Sequence, residues 1–156
     1  MTRTTIAEEI KQSKPFSSLQ QEVYLSLLRT ADELHSRVAA ILKPFGVSST
    51  QYNVLRILRG AGAEGHRCSA IAERMITREP DITRLLDRMA KAGWIEQARD
   101  TDDRRVVITR ITPEALKLLK EIDKPISELN RTLMANVGEK KLKTLLSLLD
   151  EVRSDE

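Results

Sequence analysis

At 156 residues, 40% of them apolar and 31% charged, the chain suits one globular domain and leaves too little for two. Only 3% of residues are aromatic, while leucine, isoleucine and alanine dominate the apolar set, a composition that favours helical packing over a β-sandwich. The net charge of +3 is too small to establish nucleic-acid binding, and the single cysteine excludes an intrachain disulfide or a cysteine-cluster metal site. The N-terminal MTRTTIAEEIKQSK lacks an apolar signal core and no stretch approaches the roughly 18 uninterrupted apolar residues of a membrane span, so a cytoplasmic protein with no membrane partner is expected.

After a polar tail, Ser17 and Gln20 form a candidate capping box for a long helix with a stripe of Leu19, Val23, Leu27, Ala31, Leu34, Val38 and Ile41. Pro44 and Gly46 end it. Ser48 with Gln51 predicts a second helix to about Leu58, carrying Val54, Leu55 and Leu58 inward, before the glycine-rich loop from Gly60 to Gly65. A short helix follows from about Ser69, with Ala70, Ile71, Ala72 and Met75, and breaks near Ile76 to Arg78.

The next helix places Ile82, Leu85, Leu86 and Met89 on one face and turns Asp81, Arg84 and Arg88 away from it. Pro80 is expected in its first turn, where a missing N–H does little harm, and Gly93 supplies the left-handed cap. Trp94 and Ile95 begin a strand. A charged tip follows, with Asp100, Asp102 and Asp103 beside Arg104 and Arg105, and then the alternating β-branched run from Val106 to Ile111. Thr112 and Pro113 open another helix to about Asn136, with Leu116, Leu119, Ile122, Ile126, Leu129 and Leu133 apolar and a kink expected at Pro125. Gly138 separates it from a last helix bearing Leu142, Leu145, Leu146, Leu149 and Val152.

The choice of cation says more than the net charge. From His66 to Arg110 there are ten basic residues, nine of them arginine, whereas lysine outnumbers arginine in the rest of the chain. Arginine offers a planar donor fork suited to phosphate and guanine edges, so the centre is biased toward recognition chemistry. Eight acidic residues in the same segment make the basic surface local. Helix, strand, charged tip, strand is the order of a winged helix-turn-helix.

The segment Thr77 to Met89, Gly93 with its apolar successors, the tip residues Asp100, Asp103, Arg104 and Arg105, and Ile111-Thr112 leading into a helix together resemble the MarR-type transcriptional regulators. Ala115 stands where that family usually carries glycine. The resemblance covers most of the chain and implies a mainly α fold: a winged helix-turn-helix with a two-stranded wing, flanked by N- and C-terminal helices that form a dimerisation region. Residues 1–156 are then a single domain, with 48–112 as its DNA-binding part and 17–45 and 113–153 as dimerisation helices.

It also implies double-stranded DNA as partner. Thr77, Arg78, Asp81, Thr83 and Arg84 become candidates for groove contacts, although Arg84 paired with Asp81 or Asp87 is also an ordinary exposed helical ion pair. Asp103 and Arg105, two apart on the ascending arm of the wing, can point the same way and pair; in the family the matching arginine enters the minor groove. Arg104 is then a phosphate contact, and Asp100 and Asp102 shape the turn. A hydrophilic hairpin serving only solubility is the competing account.

A winged unit cannot bury the stripes of the terminal helices alone, so a homodimer is expected, with Leu19, Val23, Leu142, Leu145, Leu146 and Leu149 at its interface and an inverted-repeat operator matching its two-fold axis; a monomeric bundle whose ends pack back on the centre is the competing account. Tyr24, His35 and Tyr52 are candidates for a site that takes a small aromatic or phenolic effector, though aromatics more often serve as core. Cys68 reads better as a small buried residue than as the redox sensor some relatives carry. No cofactor, metal site or catalytic residue is expected. The chain has no nucleophile elbow, phosphate-binding glycine loop or metal motif, which argues against an enzyme. A repressor of neighbouring genes released by a small molecule is the leading reading, with a winged-helix interaction scaffold or a Cys68-based redox regulator as alternatives.

Overall fold

The computed structural model describes residues 4–154. Its first helix, α1 (Ile6–Glu9), lies in the segment expected to be a polar tail. Thr5 and Glu8 close a reciprocal capping box, and these hydrogen bonds from Thr5, its backbone amide first, hold the Glu8 carboxyl below the usual range. An ion pair between Glu9 and Arg29 ties α1 to the long helix α2 (Leu19–Leu42).

The start of α2 falls one residue later than expected. Ser18, not Ser17, accepts from the Gln21 amide at 3.1 Å, and the Gln21 carboxamide in turn accepts from the Ser17 amide at 2.8 Å. A 3-10 turn at Lys43–Phe45 and left-handed Gly46 then redirect the chain. Ser48 and Gln51 form the expected box at the head of α3 (Ser49–Ala61), which runs past Leu58 into the glycine-rich segment before Gly62 caps it.

Gly65 enters the short strand β1 (His66–Arg67) with φ +68°, and an added Cβ would lie 2.4 Å from the Thr109 carbonyl oxygen. Only glycine fits this approach. Helix α4 (Cys68–Arg74) ends at extended Met75, and α5 (Ile82–Lys91) follows an irregular stretch. Pro80 therefore lies before α5 and not in its first turn. Asp81 takes the N-cap because its carboxylate accepts from the Arg84 amide, a role proline cannot fill.

Gly93, at φ +77°, turns the chain into β2 (Ile95–Arg99), which pairs with β3 (Val107–Ile111). The sheet has three antiparallel strands in the order β1-β3-β2, so β1 adds a third strand beside the expected wing pair β2 and β3. Residues His66 and Arg67 stand opposite Thr109 and Ile108. Two residues offer no period to read, which is why the sequence conceals β1.

Thr112 caps α6 (Pro113–Met134), and Pro113 occupies its first position as expected. The helix continues through Pro125 without a break. Ala115, Leu119, Ile122 and Ile126 are its buried residues, whereas Leu116, Leu129 and Leu133 are only partly covered. A last helix, α7 (Glu139–Arg153), buries nothing completely.

One core joins these elements: Leu42 of α2, Val54, Leu55 and Leu58 of α3, Ile71 of α4, Leu86 and Met89 of α5, and Leu119 and Ile122 of α6 are all essentially inaccessible. Arg59 of α3 donates to both carboxylate oxygens of Asp123 in α6, at 3.0 and 2.8 Å, and so pins the winged unit to the helix that follows it. Thr109 is buried in the middle of β3, and its hydroxyl has no hydrogen-bond partner among the described residues. Among the described residues, no helix is long and apolar enough to cross a membrane.

Candidate nucleic-acid interface

The first turn of α5 presents its polar side to solvent because Ile82, Leu85, Leu86 and Met89 face inward. Asp81 uses both carboxylate oxygens. One accepts from the Arg84 amide at 3.3 Å and the other lies 3.3 Å from Arg84 Nε, whose side chain is 82% exposed. The carboxylate thus completes the positive end of the helix and steers the guanidinium outward along it. An exposed pair of this kind adds only about 0.3 to 0.5 kcal/mol to stability, so its significance lies in orientation. Thr77, Arg78 and Thr83 are exposed on the same approach, Thr77 and Arg78 in the irregular stretch and Thr83 within α5.

That stretch is anchored by a residue the sequence did not reveal. Asn53, half-buried on α3, accepts from the Ile76 amide at 2.9 Å across 23 positions of chain. A polar residue between Tyr52 and Val54 carries no sequence signal for such a bond.

The wing departs from the expected geometry. Asp103, Arg104 and Arg105 lie in the turn before β3 and not on its ascending arm. Asp103 accepts from the Arg105 backbone amide at 2.9 Å, and its own carbonyl accepts from the Val106 amide at 2.9 Å. The carboxylate therefore braces the turn that carries Arg105 and does not clamp its guanidinium. At close range an Asp side chain reaches a backbone donor two residues on more easily than a long flexible side chain, because no rotamers need be fixed.

Asp100 shapes the turn as expected, accepting from the Asp102 amide at 2.8 Å. Arg99, not singled out beforehand, donates to the Arg104 carbonyl at 2.7 Å across the tip. Arg110 ties the base of the wing to the loop after α3 by donating to the Ala63 carbonyl at 2.7 Å.

The remaining candidates are dispersed. Leu19 is 71% exposed and Leu146 62%, with Val23 and Leu145 also open and Leu142 and Leu149 partly covered. The α2 stripe is accordingly left open toward its N-terminal end, and Leu42, outside the stripe, is the fully buried residue of the helix. Tyr24 and His35 stand exposed on α2, whereas Tyr52 is buried in the core with the Arg56 guanidinium 5.9 Å from its ring centroid. Neither the groove lined by Glu9, Arg29, Thr30, Glu33, Leu34 and Arg37 nor the one beside the wing at Glu64, Arg99, Asp100 and Arg110 has any of the three in its wall. Cys68 is half-buried as the first residue of α4.

The model of the MarR family matches residues 47–107, from the residue before the α3 cap to the first residue of β3. The multiple antibiotic resistance protein MarR of Salmonella typhimurium is 30% identical over 115 residues, covering 71% of this chain and 76% of that protein. The chain belongs to the MarR family. A solved MarR transcription factor from Planctomyces limnophilus is 37% identical, with 87% of this chain and 98% of that one superposed at a TM-score of 0.66. The fold also matches that of NadR solved in complex with 4-hydroxyphenylacetate, at 24% identity, a TM-score of 0.71 and coverage of 92% and 100%. As a MarR-family protein this chain is a DNA-binding transcriptional regulator and not an enzyme. The helix-turn-helix is α4 and α5, and the wing is β2, β3 and the tip between them.

Proposed function

We propose that the protein is a homodimeric repressor that binds an inverted-repeat operator through α5 and the wing tip of each protomer and is released by a small aromatic or phenolic molecule. Residues 48–112 are its DNA-binding part, and 17–45 with 113–153 pair the two chains within a single domain spanning 1–156. It acts in the cytoplasm. The observation that carries the reading is the coincidence of outward-aimed Arg84 on a capped helix with open apolar faces at Leu19, Val23, Leu145 and Leu146. A lone winged unit needs no such faces, whereas a two-fold dimer covers them and brings two reading helices to one side about one DNA turn apart.

In this account Thr77, Arg78, Thr83 and Arg84 meet the major groove, with Asp81 holding Arg84 in place. Arg105 enters the minor groove on a tip ordered by Asp103, and Arg104 meets phosphate. The aromatic class of effector is supported by the 4-hydroxyphenylacetate bound to NadR. Since Tyr24 and His35 stand on open surfaces of α2, a site that uses them is completed by the partner protomer.

A gel shift against the DNA upstream of the protein's own gene, with and without simple phenolic acids, tests the proposal. A shifted complex that the phenolic acid dissolves supports it. Failure to shift any duplex would return the chain to the scaffold reading.

A further inference from the structure

Ile76 is 87% exposed, the most open of the large apolar residues described, and it lies in the stretch between α4 and α5. A single apolar side chain on a surface is ordinary. What distinguishes this one is the fixing of its backbone: Met75 before it packs on the core, and its own amide is held by the Asn53 carboxamide oxygen at 2.9 Å. The chain is extended at Met75, with φ −64° and ψ 134°, so the core-facing Met75 is followed by a residue held out toward solvent. Ile76 is thus presented on a stiff support beside Thr77 and Arg78, ahead of the capped end of α5.

We infer that Ile76 is a base-reading residue that packs against the C5 methyl group of a thymine in the major groove, with Asn53 as the positioning residue that holds it there. The inference rests on the operator-binding reading above. Of the groups displayed in the major groove, the thymine methyl is the apolar one, and apolar side chains are its complement. An exposed isoleucine buries area only when the duplex arrives, so its contribution appears in binding and not in folding. Asn53 contributes by removing freedom from the reading stretch before DNA binds. Neither residue adds charge, so neither alters the phosphate contacts that set salt dependence.

The test pairs removal of a methyl from DNA with truncation of the side chain. The full-length protein first selects duplexes from a random pool, and each thymine of the selected site is then replaced in turn by deoxyuridine, which lacks only the C5 methyl. At one thymine per half-site the parent protein loses about fourfold in affinity, the worth of one buried methyl group. Ile76→Ala binds the thymine duplex more weakly by at least that factor and shows no further loss on the deoxyuridine duplex. Asn53→Ala blunts the same thymine dependence while leaving the salt slope unchanged. Because Ile76 is exposed, its truncation leaves the fold intact, and circular dichroism verifies this. Ile76→Ala retaining the parent's full thymine dependence at every position overturns the inference while leaving operator binding standing. A parent protein that selects no sequence at all overturns the operator reading, and this inference falls with it.

Discussion

The centre of the molecule and its two ends are built from the same apolar residues but finish in opposite states. Around α3 to α6, leucines such as Leu55, Leu58, Leu86 and Leu119 are closed off from solvent by neighbours within one chain. On α2 and α7, Leu19, Leu28, Leu146 and Leu148 are more than half open. Burial in the centre comes from layers that meet from several directions: two helices of the reading unit, the sheet, and α6 pinned by Arg59 to Asp123. At the ends the covering layers run out: α2 packs on α1, α3 and α6 yet buries only Leu42, and α7 buries no residue completely. The winged unit thus closes its own core, whereas the terminal helices leave apolar faces open, which the proposed dimer would cover.

The largest expected effect comes from removing that half. Deleting residues 138–156 abolishes dimerisation and high-affinity operator binding, which sedimentation and gel shift measure on the same sample. Single substitutions then separate the two regions. Leu119→Ala, in the closed core, lowers the free energy of unfolding by about 2 to 5 kcal/mol, measured by urea denaturation. Leu146→Glu leaves the helical signal of the protomer intact but raises the dimer dissociation constant by at least about tenfold, since it places an unpaired charge in the joint.

Within the reading surface, Arg84→Ala weakens binding to the cognate site by about 1 to 3 kcal/mol and relaxes preference at one base in each half-site. Asp103→Ala weakens binding as well, although it removes a negative charge near DNA, because the turn carrying Arg105 loses its brace at the Arg105 amide. Simple charge repulsion predicts the opposite sign, so titration of both proteins on one duplex decides. The smallest effect is Thr109→Val, which removes a buried hydroxyl with no partner among the described residues and is expected to raise stability by about 1 kcal/mol.

Much of this division was legible in the sequence, and the reasons are local. Ser48 with Gln51, Thr112 with Pro113, and Gly93 each specify one backbone state by their own chemistry, and the structure has all three where they were read. The periodic set Ile82, Leu85, Leu86 and Met89 fixed the inward face of α5, and hence the outward one. Features that depend on a distant partner were not legible. Strand β1 exists because Gly65 can approach Thr109 closely, and Asn53 matters only because the fold brings Ile76 to it. The wing shows the same limit at shorter range: spacing placed Asp103 beside Arg105, yet it could not distinguish the guanidinium from the amide as the group the carboxylate binds. Spacing could not foresee either that Tyr52 is drawn into the core that Val54 and Leu55 complete on the same helix, while Tyr24 and His35 stand exposed on α2.

The central claim is that two copies of this chain, joined through their ends, read one operator together. Native mass measurement of the full-length protein on a selected duplex tests this directly. The account predicts two 17.7 kDa chains per duplex at all partial saturations, with no stable complex of one chain. A complex carrying a single chain at full affinity would contradict it.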